Sequence, residues 1–171
     1  AAGGAVTAIS DGMTEDGSPS WSPDSTTLYF VSNRGGSKDL WQQRISDAGL
    51  PEGEPAQVSV GIGMSEAIVS PDGTKLAYVR GGPIRNMWRI PILDDRPATW
   101  ADAEQLTFDV AAIHGMDVSP DGTRLVLSSE RSGNPDLWTM PAEGGEMQQL
   151  TTDPTPDWAV RWSPDGEQVA F

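Results

Sequence analysis

The chain has 171 residues, 37% of them hydrophobic, with 25 acidic against 11 basic residues and a formal net charge of −14. A surface this acidic repels phosphate backbones, which excludes nucleic-acid binding as a function class. Cysteine is absent, which removes disulfides and thiolate metal sites, and no apolar run approaches the roughly 20 residues of a membrane-crossing helix.

The first β-prone stretch is Val6-Thr7-Ala8-Ile9-Ser10. Ser10 stands eleven residues ahead of Trp21, as Thr107 does of Val118 and Thr151 of Trp162. That spacing predicts the last strand of a unit, at about 5–10, with no earlier strands in front of it. Residues 1–5 have neither the basic nor the apolar region of a secretory leader, so none is expected within this sequence. Next comes Trp21-Ser22-Pro23-Asp24-Ser25, the first of four copies of one phrase. The others are Val69-Ser70-Pro71-Asp72-Gly73, Val118-Ser119-Pro120-Asp121-Gly122 and Trp162-Ser163-Pro164-Asp165-Gly166. Their prolines are 48, 49 and 44 residues apart, the period of a repeat architecture. Proline sets φ for the first corner of a tight turn, aspartate caps it and glycine accepts a left-handed backbone. Flanked by apolar residues, each copy reads as a β-hairpin.

The first full unit spans 18–60, with strand A at 19–22, B at 27–32, C at 39–45 and D at 56–60. The second spans 65–108, with A at 66–70, B at 75–80, a turn through Gly81-Gly82-Pro83, C at 86–92 and D at 104–107; the insertion 93–103 carries Trp100. The third spans 114–152, with A at 115–119, B at 124–129, C at 136–140 and D at 147–151. A fourth, 157–171, reaches only A and B. No period of 3.6 is sustained. Four antiparallel strands per repeat make the blade of a β-propeller. The expected fold is therefore all-β, a single propeller domain or propeller fragment of about three and a half four-stranded blades, the first and last incomplete.

Trp41, Trp88 and Trp138 recur in strand C and are expected to fill the wedges between blades, with Trp21 and Trp162 packing from strand A. Asp24, Asp72, Asp121 and Asp165 are expected to cap their own turns rather than share an ion. Asp39 and Asp136 should bond backbone amides in the turn before strand C, with Arg34 and Arg131 pairing with them or with a neighbouring blade. The second unit departs here, with Asn86 for Asp and Arg80 displaced. Differences between repeats are where a specific function would lie, so the candidate binding-face residues are Asn33, Arg34, Arg85, His114, Glu130 and Arg131. His114 is the one histidine, and no Gly-x-Ser-x-Gly elbow is present, so no catalytic residue is assigned. No cofactor is expected. Calcium suits the acidic loops at 11–16 and 153–157 better than zinc, although no spacing matches a calcium loop.

The run Trp-Ser-Pro-Asp-Gly, apolar strand, Ser-x-Arg-x-Gly, Asp-Leu-Trp and closing Gln-Leu-Thr resembles the WD-like propeller repeat of TolB-type proteins. Ser22, Ser32, Ser119, Ser129, Arg34 and Arg131 carry the likeness with the Asp-Leu-Trp copies, over nearly the whole chain. The resemblance implies a non-catalytic scaffold that binds a protein or peptide, in the periplasm or secreted. It equally resembles propellers attached to prolyl-oligopeptidase, tricorn and amidohydrolase enzymes, which makes the alternative an accessory propeller whose hydrolase domain is absent. Such rings usually have six or seven blades. A fragment of a larger ring, or a homodimer whose 6–10 strands complete the partner's last blade, is therefore expected over a closed monomer.

Overall fold

Four hairpins, each closed by one Ser-Pro-Asp phrase, set the architecture of the chain in a computed structural model whose described residues are 6–10, 12–82 and 84–171. Ala5, Asp11 and Pro83, to which expectations attach above, lie outside them. The first blade comprises β1 (Asp16–Trp21), β2 (Thr27–Ser32), β3 (Asp39–Ile45) and β4 (Pro51–Gln57) in that order across the sheet. The second is β5 (Glu66–Val69), β6 (Lys75–Gly81), β7 (Arg85–Pro91) and β8 (Glu104–Gln105). The third is β9 (Ile113–Val118), β10 (Arg124–Ser129), β11 (Asp136–Pro141) and β12 (Gln148–Gln149). β13 (Arg161–Trp162) and β14 (Val169–Ala170) pair as a lone hairpin. All these pairings are antiparallel, as expected.

The turns explain themselves from the residues. In the second, the Ser70 hydroxyl donates to Asp72 Oδ1 at 2.6 Å and accepts the Lys75 amide at 3.0 Å, while Asp72 Oδ1 also accepts the Thr74 amide at 3.0 Å. Ser22–Asp24, Ser119–Asp121 and Ser163–Asp165 repeat this arrangement at 2.5 to 2.6 Å. The aspartates cap their turns, and the serine closes each one from the other side. The fifth residue of each phrase has a left-handed backbone: Gly73, Gly122 and Gly166 at φ of 71 to 73°, and Ser25, lacking glycine's freedom, at 58°. The turns also lean on one another. A Cβ at Gly73 would meet Pro23 Cδ at 3.2 Å, one at Gly122 would meet Pro71 and one at Gly166 would meet Pro120, both at 3.5 Å.

The core lies in the junctions between blades, because a strand's side chains alternate between its two neighbours. Leu76 and Tyr78 of β6 pack with Tyr29, Val31 and Leu40 of the first blade. Val79 of the same strand packs with Leu125, Leu127 and Met140 of the third. Val126 faces on to Val160, Trp162 and Val169.

Three expectations need correction. Residues 6–10 hold no strand, because a strand there needs a sheet edge to pair with and none of the described sheets extends to it. The first blade's last strand lies at Pro51–Gln57, not 56–60. A tight loop returns the chain at once, with the Ser46 amide bonding the Leu50 carbonyl at 2.9 Å, so pairing starts at Pro51 opposite Ile45. Residues 58–60 follow outside the strand: the Val58 and Ser59 amides share the Leu40 carbonyl at 2.9 and 3.2 Å, and the segment also bonds Ala98 of the second blade's insertion, through Ala98 N–H to Val58 O at 2.8 Å and Val60 N–H to Ala98 O at 2.9 Å. Trp21 is not a packing residue. It is 53% exposed on a face of the first blade that no other described sheet covers, whereas Trp162 packs against the third blade. Trp88 and Trp138 pack against the junction clusters as expected.

Candidate binding rim

In a meander, the second turn and the exit of every blade fall at the same end. The β2–β3, β6–β7 and β10–β11 turns therefore share one rim with the connections between blades. Asn33, Arg34, Arg85, His114, Glu130 and Arg131 all lie on this connection rim. Successive first strands β1, β5, β9 and β13 adjoin along the inner side of the arc.

Under the rim runs a repeated brace. Asp39, fully buried, accepts the Gly61 amide at 3.0 Å and the Ile62 amide at 2.8 Å, and the Ser59 hydroxyl accepts the Leu40 amide at 2.9 Å. These amides belong to the connection that follows the blade and not to the turn before β3, contrary to expectation. A carboxylate reaches further than one turn, and its short local need is met by the Ser37 hydroxyl. Asn86 does the same for the next connection. Its Oδ1 accepts the Thr107 hydroxyl at 2.9 Å and the Asp109 amide at 3.0 Å, and its Nδ2 donates to the Asp109 carbonyl at 3.2 Å. Asp136 holds the Ser132 hydroxyl and, at 2.9 Å, Gln149 Nε2, while the Leu137 amide bonds the Thr151 hydroxyl at 2.9 Å. The exchange of Asn for Asp in the second blade keeps the brace.

The arginines serve the rim in another way. Arg34 pairs with Asp16 of its own blade at 3.3 Å and lies over the Phe30 and Trp41 rings. Arg131 reaches Asp109 in the preceding connection at 3.4 Å and covers Trp138. Neither pairs with the aspartate five residues on, because both of those are engaged by the brace. In the second blade Trp100 slips between, its centroid 4.5 Å from Trp88, with Arg80 over its face at 4.4 Å. The first and third blades thus stack an arginine directly on the strand-C tryptophan, and in the second the arginine stacks on Trp100, which covers Trp88 in its place.

His114 and Glu130 come together, Nε2 to Oε1 at 2.8 Å, and Trp158 meets the imidazole edge-on with centroids 4.8 Å apart. The hydrogen bond joins the first strand of the third blade to the turn that follows its second strand, and Trp158 arrives from the next connection. Nearby, burial pushes the Glu66 carboxyl up, opposed by Arg85, His114 and Arg161. Asn33 accepts the Glu15 amide through its side-chain oxygen at 3.0 Å, which ties it to the chain's first connection. The structure thus gathers Arg85, His114 and Glu130 around the inner strands and leaves Asn33 and Arg34 at the first blade. Sequence reading missed Glu66, Arg161 and Trp158, none of which stands at a repeated position.

The same rim leaves large apolar side chains uncovered: Val110 at 86% exposure, Phe108 at 79% and Trp158 at 47%. Among the described residues no three His, Cys, Asp or Glu side chains are grouped to hold a metal ion, and no helix is long and apolar enough to cross a membrane.

No protein-family model matches the chain. It is 30% identical over 116 residues to a Bacillus subtilis protein named as an uncharacterized peptidase, YuxL, covering 63% of this chain and 17% of that one. Among solved structures it is similar to TolB from Acinetobacter baumannii, with a TM-score of 0.66 at 19% identity, over 92% of this chain and 37% of that chain. It is similar also to a puromycin-hydrolyzing peptidase of Mycobacterium tuberculosis, with a TM-score of 0.64 at 17% identity, over 86% and 23%. The chain spans less than two thirds of the length of the curated relatives it matches. Four-stranded antiparallel blades, stacked turns and these likenesses agree: in fold, the chain is an arc of TolB-type β-propeller.

Proposed function

We propose that this chain is a non-catalytic propeller scaffold whose connection rim binds a protein or peptide. The observation that carries the reading is the uncovered apolar set on that rim, with Val110 bare, Phe108 in a cleft beside Arg131, and Trp158 against the imidazole of the His114–Glu130 pair. A single exposed hydrophobic residue needs no explanation, whereas several beside polar groups on one surface have the make-up of an interaction site. Beneath them Asp39 and Asn86 hold their connections, and Asp136 ties its own turn to Gln149, so little ordering remains to oppose binding. Panning a displayed peptide library on the folded chain tests this. Binders lost in Phe108→Ser and Trp158→Ser, with the circular dichroism unchanged, support the reading; binders indifferent to both substitutions remove it.

The relatives named as peptidases favour a second reading, in which these blades are the propeller module of a peptidase and its chemistry belongs to another segment. Both readings predict that the purified chain releases nothing from peptide anilides, and turnover there would overturn the non-catalytic part of each. In the scaffold reading the chain also associates with a copy of itself through the uncovered face of the first blade, where Trp21 is exposed. A light-scattering mass that stays at one chain as concentration rises overturns that. A periplasmic or secreted location follows from the TolB-type resemblance, and cell fractionation tests it. The scaffold needs no cofactor in this account.

A further inference from the structure

The first two junctions share one geometry but differ at one strand position. Tyr29 of β2, Ala77 of β6 and Val126 of β10 are equivalent, each facing the following blade. Tyr29 fills its junction and is buried among Val69, Leu76 and Ile90. Ala77 leaves that space empty. The second junction accordingly contains a cleft of about 400 Å3, floored by Ile68, Ala77, Val118 and Leu125 and opening at the rim of the Ser-Pro-Asp-Gly turns.

Charge at the mouth is lopsided. Glu143, reaching across from the third blade, bonds Lys75 Nζ at 2.7 Å and also Arg89, which pairs with Glu104 at 2.5 Å. Two cations there are thus met by two carboxylates. Asp72 and Asp121 line the same opening, and neither forms an ion pair among the described residues. Their turn bonds keep them ionised: the Ser70 hydroxyl and the Thr74 amide hold the Asp72 carboxyl down to about 2, and Ser119 and Thr123 lower that of Asp121. The result is an aliphatic pocket of ligand-binding size with two carboxylates at its entrance that no ion pair holds, Lys75 acting on Asp72 only at longer range.

We propose that this cleft binds a primary alkylammonium group, its stem on the Ala77 floor and its cation between Asp72 and Asp121. The ammonium comes either from a free amine or from a lysine side chain of a peptide. The site is separate from the connection rim and does not rest on its role.

NMR titration of the folded chain tests the proposal with four probes: hexylammonium, hexanol, hexanoate and Nα-acetyl-lysine methylamide. Hexylammonium is expected to shift the amides of Ala77 and Gly122 and to bind about fivefold or more tighter than hexanol. Its advantage should shrink in about 0.5 M sodium chloride, where charges are screened within a few ångströms. Tighter binding of hexylammonium than of acetyl-lysine methylamide assigns the site to free amines, and the reverse assigns it to peptides; both support the proposal. Ala77→Tyr, which copies the first junction, should weaken binding at least roughly tenfold by filling the floor. Should that variant not fold, Asp72→Asn serves instead, since asparagine can still cap the turn; a loss of about threefold is expected. Equal binding of hexanoate and hexylammonium, shifts confined to other residues, or undiminished binding in the substituted chains would overturn the proposal.

Discussion

The first and second blade junctions are built on the same frame and sealed by different means. The first is closed by bulk: Tyr29 fills its centre, and the 93–103 insertion ties back to residues 58–60. The second is closed at its edge by charge, through Glu143, and stays open beneath. Their difference teaches that the repeated residues fix how blades stack, while single unrepeated ones decide whether the space between them is occupied.

The largest effect expected on this comparison comes from the brace that both junctions share. Asp39→Ala strands the buried Ile62 amide, also frees the Gly61 amide at the edge, and should cost about 3 kcal/mol. Asp136→Asn should cost under about 1 kcal/mol, because one Asp136 oxygen has no partner and Asn86 already performs this task one blade earlier. Equal losses for the two in urea denaturation would refute a graded brace. Next, Tyr29→Ala should turn the filled junction into a copy of the hollow one, at a cost of about 3 kcal/mol, with new space detectable by xenon-induced NMR shifts. An unchanged midpoint would mean that the insertion alone seals it.

Legibility in the amino-acid sequence follows recurrence. The hairpins are legible because proline, aspartate and glycine act within five residues, and four copies average out chance. The strand-C tryptophans follow for the same reason. The braces are only half legible: Asp39 and Asp136 stand out, but the amides that Asp39 holds lie in a connection whose sequence has no match elsewhere, and Asp136 turns instead to Ser132 and Gln149 of its own blade. Trp158 near His114 is invisible, because the two stand at the same place in successive repeats, six residues before the turn proline, and share no residue type that would mark the position. The absent strand at 6–10 and the shifted Pro51–Gln57 show the limit of spacing arguments, because pairing needs a neighbour as well as a β-prone sequence.

Smaller effects sharpen the contrast further. Gly73→Ala forces a left-handed alanine towards Pro23 and should cost about 1–2 kcal/mol, whereas Ser25→Gly, where serine already endures that conformation, should gain about 0.5–1 kcal/mol. Thermal melts of the two variants should therefore move in opposite directions. Glu143→Ala should cost less than about 1 kcal/mol, and the loss should fade at high salt. A loss as large as that of Tyr29→Ala, or one indifferent to salt, would mean that the edge is not held by charge.

Acid separates the turns from the inner strands. The turn aspartates have folded values below the ordinary 3.8, so the stability they supply is present above that value and drains away as pH falls through the folded values, near about 2 for Asp72. Glu66 runs the other way. Its folded value lies above 4.5, so it weakens the fold at neutral pH, and that penalty shrinks as pH falls from the raised value towards 4.5. Glu66→Gln should raise the melting temperature slightly at neutral pH and leave it unchanged well below pH 4.5, where the carboxyl is protonated in folded and unfolded chains alike.

The leaning turns have a wider consequence. In each, the glycine of one repeat rests on the proline of the repeat before it, never the reverse. The contact is head-to-tail: it joins two different surfaces of the same unit and carries no two-fold symmetry. A repeat of this kind can be duplicated or deleted whole, since each new copy brings the glycine its predecessor accepts and the proline its successor needs. How many units make a complete ring is then set by the small rotation between neighbours, and not by any residue that counts them.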